Sequence, residues 1–352
     1  MTNYANKNIR AMKLYSPPLK GRRNFEGRLL DFNEKTIPAS KSVLKALRGL
    51  MTGNQIQLYP EYDDLCEKIA TYSGVKQDQV MMTNGSDQGI DLIFRTFTEK
   101  DDKVIIPSPS FAMFYQCVRI IGNRIITPSY DKNGSFPTQK VLQSIKKGVN
   151  LIVICNPNNP TGTAVRLEDI EKIVKKALKF NAIVYVDEAY YEFCKITAAS
   201  LIKKYPNLII TRTFSKAFGL ASLRIGYVLS SAENIAEMLK IRGPYDVNMP
   251  AVVAAKAALD DLKSLGKYVN EVMNKAKPLL EHYFKKNNIK FLPSSANFLL
   301  FKMENPLMHS EKLKKLGFLT RPREGKGIGG TIRVTIGTVA QMKKFINQFK
   351  NA

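Results

Sequence analysis

The chain is poor in the residues that build metal and disulfide sites. Its 352 residues include two histidines, His282 and His309, too few for a zinc cluster and in no metal-ligand spacing. The four cysteines, Cys66, Cys117, Cys155 and Cys194, stand far apart without a CxxC pair. That scatter suits a reducing cytosol rather than a disulfide framework, and Cys155, closing an apolar run, reads as a buried thiol. No G-x-S-x-G elbow supports a Ser-His-Asp hydrolase. The N-terminal stretch up to Pro18 has no apolar run able to form a signal-peptide core. The longest apolar stretches, 151–155 and 298–301, are strand-sized and far too short to span a bilayer. Acidic residues are also scarce, 30 against 54 basic ones, for a net charge of +24. The basic doublets, such as 146–147, 203–204 and 314–315, are spread along the chain, and no compact basic arm carries interleaved aromatics. The charge therefore reads as that of a lysine-rich cytoplasmic enzyme with anionic substrates, not of a nucleic-acid or membrane binder.

What is present is a regular α/β pattern without internal repeats. Residues 1–35 read as an irregular arm rich in Lys, Arg and Pro. A serine-capped helix is expected over 40–50. Short apolar runs at 80–83, 103–107, 124–127, 150–155, 182–187, 208–212 and 225–229 predict strands. Several are separated by amphipathic helices such as 167–180, where Leu167, Ile170, Ile173, Val174, Ala177 and Leu178 make one stripe. That alternation argues a mostly parallel, seven-stranded sheet covered by helices on both faces. After Gly243-Pro244 the pattern changes. A helical stretch over 250–287 is expected to bend or restart at Pro278. Strand-like 290–292 and 298–302, a helix over 308–316, a Gly-rich loop over 325–330, a strand over 331–336 and a closing helix over 338–350 then read as a smaller α+β domain. The expected division is an arm and helix over 1–50, a large domain over 51–245 and a small domain over 246–352.

The chemistry gathers at strand ends. Lys216 lies in Thr213-Phe214-Ser215-Lys216-Ala217-Phe218-Gly219-Leu220, just past a strand, with hydroxyls before it and Arg224 after it. An amine desolvated beside a cation has a depressed pKa and is nucleophilic. Asp187, in Asp187-Glu188-Ala189-Tyr190, ends the apolar strand 182–187, where ligands of open α/β sheets bind. Gly85, Ser86 and Asp87 follow another strand and open a helix over 90–97, whose free N–H groups suit a phosphate dianion. An amine for an imine, a carboxylate for a pyridinium nitrogen, and hydroxyl and guanidinium groups for a phosphate are the set that pyridoxal 5′-phosphate requires.

Together with Asn156-Pro157-Asn158-Asn159-Pro160-Thr161-Gly162, these strings resemble the class I/II aminotransferases of pyridoxal phosphate fold type I, most closely histidinol-phosphate aminotransferase. The resemblance runs in order from Asn33-Glu34 to Arg333. It implies that Lys216 carries the cofactor and shuttles the α-proton, that Asp187 holds the pyridinium, and that Asn159 and Tyr190 hydrogen-bond the ring phenolate. It implies Phe111 stacked on the ring, and a phosphate held by Gly85, Ser86, Asp87, Thr213, Ser215 and Arg224. Tyr59, in Leu58-Tyr59-Pro60-Glu61, corresponds to a tyrosine lent across a homodimer to the partner's cofactor. Arg333, in Thr331-Ile332-Arg333-Val334-Thr335-Ile336-Gly337-Thr338, matches the arginine that clamps a substrate carboxylate. Arg321 matches a substrate-phosphate arginine, with Arg323 able to substitute, and Asn33 and Tyr15 would border the substrate. The sequence departs from the pattern at Lys35-Thr36 and at 322–330, both beside the substrate side chain.

The expected activity is amino transfer between glutamate/2-oxoglutarate and a second amine, foremost histidinol phosphate/imidazole-acetol phosphate. Aromatic or other specialised amino acids are alternatives, as is a decarboxylase of the threonine-phosphate type. A transcription regulator with an aminotransferase-like domain would need a winged helix-turn-helix ahead of it, and about 35 residues precede the first helix of the catalytic body.

Overall fold

The apolar runs between residues 80 and 229 become strands of one sheet in the computed structural model, which describes residues 4–325 and 327–350. In chain order the strands are β1 (Arg28–Leu29), β2 (Val80–Thr83), β3 (Lys103–Ile105), β4 (Arg124–Ile126), β5 (Val149–Cys155), β6 (Ile183–Asp187), β7 (Leu208–Thr213), β8 (Gly226–Leu229), β9 (Phe298–Lys302), β10 (Phe318–Leu319), β11 (Arg321–Arg323) and β12 (Thr331–Thr335). All seven strands expected for the large sheet are present, in the order β2-β8-β7-β6-β5-β3-β4. Pairing is parallel from β7 through β4, and β8 runs antiparallel to both its neighbours. Strands buried on both faces need apolar side chains on both, which is why β5 to β7 read as near-continuous hydrophobic runs. The helix Leu167–Leu178 turns Ile170, Ile173, Val174 and Ala177 onto this core.

The reversal at β8 brings two strand ends together. Because β8 is antiparallel to β2 and to β7, those two strands end on the same edge, and Gly226 is paired with Thr83 on one side and Thr213 on the other. A Cβ on Gly226 would lie 2.6 Å from the Ser86 nitrogen and 2.8 Å from the Arg212 carbonyl oxygen. Only glycine lets the helix starting at Gly85 approach the end of β7.

The C-terminal part carries the antiparallel sheet β11-β12-β9, and its β10 pairs in parallel with β1 from the N-terminal arm. Ser40 caps the helix Lys41–Thr52 by accepting from the Val43 N–H, as expected. Three local expectations need correction. The helix expected over 90–97 begins at Gly85, so Gly85, Ser86 and Asp87 form its first turn. The stretch 250–287 is two helical runs, Met249–Leu259 and Leu262–Lys286, broken where Asp260-Asp261 ends one and caps the next. The restart expected at Pro278 is present: Leu262–Glu271 runs into a wider π turn, Val272–Ala276, and a new helix starts at Lys277 with Pro278 in its first turn, where a ring and a missing N–H are tolerated. The strand expected over 290–292 is reduced to a bridge between Phe291 and Phe301. Of the Gly-rich loop, Lys326 lies outside the described residues.

Candidate active site

The C-terminal ends of β5, β6 and β7, the first turn of helix Gly85–Phe97, and β11 and β12 from the second sheet converge on one cavity of about 480 Å³. Small-molecule sites occupy roughly 300–1,000 Å³. Its walls include Tyr15, Asn33, Ser86, Asp87, Phe111, Asn159, Asp187, Tyr190, Thr213, Ser215, Lys216, Arg224, Arg321, Arg323 and Arg333. Nearly every residue singled out in the sequence is therefore on one surface. Gly85 stands just behind it, and Tyr59 lies elsewhere.

At one end is an oxyanion-sized cup. Gly85 adopts φ +73°, and a side chain there would run into the Arg224 guanidinium. Arg224 donates to Asp87 Oδ2 at 3.0 Å. The Thr213 hydroxyl lies 3.0 Å from the Ser215 hydroxyl and accepts from the Ser215 N–H at 3.1 Å. Hydroxyls, a guanidinium and free N–H groups at a helix N-terminus form a site for a phosphate.

Along the floor, Asp187 is 3% exposed. One carboxylate oxygen accepts from the Ala189 N–H at 3.1 Å and the Thr211 hydroxyl at 3.2 Å. The other meets only the Cys155 thiol at 3.9 Å, and among the described residues no cation pairs with it. Burial pushes Asp187 up to about 7. Such a carboxylate suits a cationic ring N–H, which would hold it ionised. The Tyr190 phenol accepts from Asn33 Nδ2 at 2.9 Å, and burial pushes it up to about 12. Phe111 precedes the helix Ala112–Ile121 and packs edge-on against Phe114.

The amine of Lys216 donates to the Phe32 carbonyl at 2.9 Å. Burial, with the Arg333 charge adding to it, brings this amine down to about 8, within reach of a free-base form at neutral pH. Arg333 is 5% exposed and donates to Asn159 Oδ1 at 2.5 Å and to the Asp31 carbonyl at 2.6 Å. Its Nε has no partner. Register places Arg321 opposite Arg333, and Arg323 follows on the same face of β11. Arg323 Nε is also buried without a partner, and burial with Arg321 beside it depresses the Arg323 pKa. None of the three guanidiniums forms an ion pair among the described residues. Arg333 is buried and Arg321 and Arg323 are half-buried; an uncompensated buried cation is costly, and such a wall suits an anion that comes from outside.

Tyr59 is 71% exposed and stacks on Tyr245 at 4.0 Å, away from this chain's cavity. Asn33, at φ 57°, spends its side chain on Tyr190 and Thr335. Sequence reading missed Phe32 and Asp31, and it read Cys155 as a buried thiol without its contact to Asp187. The first two act at the site through backbone carbonyls, which leave no side-chain signature, although both flank the Asn33-Glu34 motif. It also missed the buried pair beneath the floor, in which Arg212 Nε donates to Glu188 Oε2 at 2.9 Å and the guanidinium lies 3.7 Å from the Tyr191 ring centroid.

A family profile for aminotransferase class I and II matches residues 26–349. The chain is 34% identical over 344 residues to a histidinol-phosphate aminotransferase of Caldanaerobacter subterraneus, covering 94% of this chain and 96% of that protein. It is 36% identical over 351 residues to a dihydroxyacetone phosphate transaminase of Campylobacter jejuni, covering 96% and 94%. A histidinol-phosphate aminotransferase of Sinorhizobium meliloti, solved in complex with pyridoxal-5′-phosphate, superposes with a TM-score of 0.87 at 22% identity, covering 100% of this chain and 99% of that one. The chain belongs to the class I and II aminotransferases, with the fold type I architecture, and is a pyridoxal phosphate-dependent transaminase.

Proposed function

We propose that the chain moves an amino group between glutamate/2-oxoglutarate and an amine that carries a phosphate monoester, with histidinol phosphate as the first candidate. The observation that carries this reading is the wall of Arg321, Arg323 and Arg333, three cations with no anionic partner among the described residues, facing the Lys216 amine across one cavity. A small phosphorylated ketone such as dihydroxyacetone phosphate is the second reading, favoured by the 36% identical relative of that name. Both substrates lack a carboxylate on the reacting side, so one set of guanidiniums would serve a phosphate in one half-reaction and carboxylates in the other.

In this reading the cup of Gly85, Ser86, Thr213, Ser215 and Arg224 holds the cofactor phosphate, with Asp87 orienting Arg224. Asp187 holds the ring nitrogen, Phe111 covers the ring face, and Asn159 and Tyr190 flank the ring oxygen. Pyridoxal phosphate, when bound, supplies the electron sink that acidifies the hydrogen on the amine-bearing carbon. Lys216 Nζ, brought down toward neutrality, would take that proton and return it to the carbon on the far side of the transferred nitrogen. Arg333 grips the glutamate α-carboxylate with its planar fork, and Arg321 and Arg323, near Tyr15, receive the distal anion. The same reading divides the chain into a large cofactor domain over 51–245 and a smaller one over 246–352, with the first 50 residues packed against the latter. It also pairs two copies: Tyr59, Tyr245, Met51, Ile56 and Leu58 are all more than half exposed, and Tyr59 would reach the partner's cup.

The test is a panel of amino donors and oxo-acids with the purified, cofactor-loaded protein. Amino transfer from glutamate to a phosphorylated ketone is expected, and borohydride reduction should fix the label on Lys216 and not on a Lys216→Ala variant. Release of CO2 without any oxo-acid acceptor would replace the reading with decarboxylation.

A further inference from the structure

The stretch 31–34 meets the reacting groups with its own backbone and amide. The Phe32 carbonyl accepts from Lys216 at 2.9 Å, the Asp31 carbonyl accepts from Arg333 at 2.6 Å, and Asn33 Nδ2 donates to Tyr190 at 2.9 Å. What fixes this stretch from outside is Arg22, a residue of the N-terminal arm. Its Nε and one terminal nitrogen donate to the two carboxylate oxygens of Asp31 at 2.9 Å each. The same terminal nitrogen reaches Glu34 Oε2 at 2.5 Å, and the other reaches Oε1 at 3.4 Å. The guanidinium carbon sits 4.2 Å from the Phe32 ring centroid. These are inward contacts: the Arg22 and Asp31 side chains are 11% and 3% exposed. Arg22 is itself fixed in a turn, its N–H donating to the Leu19 carbonyl and its carbonyl accepting from the Phe25 N–H. The arm just ahead of it puts Tyr15, Pro17 and Leu19 on the cavity wall.

We propose that Arg22 is a positioning residue that clamps 31–34, so that its carbonyls seat the Lys216 amine and the Arg333 fork, and that it straps the arm over the cavity. The clamp has a second effect. Glu34 lines the cavity, and beside three substrate-binding arginines an unscreened carboxylate would compete with the substrate anion. Arg22 offsets that charge with a planar fork that reaches Asp31 and Glu34 at once, which a lysine ammonium cannot reproduce. The inference rests on the roles given above to Lys216 and Arg333.

The experiment compares the full-length holoenzyme with Arg22→Gln, Arg22→Lys and the double variant Arg22→Gln/Glu34→Gln. It measures cofactor absorbance, single-turnover kinetics with glutamate, thermal melting, and the rate of chymotryptic cleavage in the arm. Cofactor loading should be unchanged, because Arg22 touches no residue of the phosphate cup. Arg22→Gln should lower kcat/KM by roughly 10- to 100-fold, the scale of a small misplacement of reacting groups, and should speed cleavage of the arm. Arg22→Lys should recover only part of the loss, and adding Glu34→Gln should restore KM more than kcat. Wild-type kinetics in Arg22→Gln would overturn the proposal, as would a uniform loss of melting temperature and activity without rescue by the double variant. Should Arg22→Gln fail to fold, wild-type kinetics in Arg22→Lys would overturn it equally. If the unmodified protein transfers no amino group, the functional reading fails instead, and unchanged arm cleavage in Arg22→Gln would still sink the strap.

Discussion

Replacing Arg333 with methionine should separate activity from stability, because that side chain does little to hold the fold. The linear methionine fills most of the same space without charge. On the activity side, a guanidinium fork on a carboxylate makes two charge-assisted hydrogen bonds at about 1.5–3 kcal/mol each. Their combined loss, taken as about 3–4 kcal/mol, lowers kcat/KM for glutamate by about two to three orders of magnitude. On the stability side, the substitution leaves the Asp31 carbonyl and Asn159 Oδ1 without their donor, at about 1–3 kcal/mol each. Against that it removes a guanidinium that is 5% exposed, has no ion-pair partner among the described residues and keeps an unpartnered Nε, a relief of several kcal/mol. The two nearly cancel. A change of 1 kcal/mol moves Tm by about 2–4 °C in chains of 150–250 residues and less in longer ones, so Tm should stay within a few degrees of wild type. The assay is a pair of single-turnover half-reactions, glutamate in one and the phosphorylated amine in the other, beside a thermal melt. A glutamate half-reaction within about threefold of wild type, less than 1 kcal/mol, would refute the carboxylate clamp. A Tm drop beyond about 10 °C would show that Arg333 is a structural cation after all.

Two further outcomes come from buried charge. Burial raises Asp187 from 3.8 to about 7, so between those pH values the folded, cofactor-free protein binds a proton that the unfolded chain has lost. Its stability therefore falls as pH rises through this window, and Glu192, also raised by burial to about 7, adds to the same slope. Asp187→Asn should flatten part of that slope in melts at pH 5 and pH 8, making the cofactor-free variant the more stable protein at pH 8; an unchanged slope would refute the assignment. Beneath the floor, Arg212→Met leaves the Glu188 carboxylate buried without its cation. The expected cost in urea unfolding is about 3–5 kcal/mol, and adding Glu188→Gln should recover more than half of it, because the amide oxygen can still accept from the Ala198 N–H while the amide NH2 donates to the Thr197 hydroxyl, which has lost the Arg212 donor.

The large sheet was legible because strands covered on both faces must be apolar on both, so β5, β6 and β7 announce themselves as short hydrophobic runs. Their C-terminal ends then located Asp187, Thr213 and Lys216. The start of helix Gly85–Phe97 was hidden because a left-handed glycine and two short polar residues look like a turn, although here they are the first turn of the helix. The break at Asp260-Asp261 was hidden because alanine and leucine run through it at helical spacing. Arg22 escaped for another reason. It sits beside Arg23, and basic residues in pairs are ordinary in a chain with 54 of them; what distinguishes this one is the fold around residues 31–34.

The Asn33 N–H donates to the Thr335 hydroxyl across 302 residues of chain, and the Thr335 N–H donates to the Leu30 carbonyl. The stretch that accepts from the Lys216 amine is therefore tied down only when almost the whole polypeptide has been made. Residues 80–229 can complete their sheet and phosphate cup well before then. If the proposed cofactor site is right, a C-terminally truncated chain should still bind the vitamin-derived coenzyme yet not turn over, and competence would arrive with the final strand.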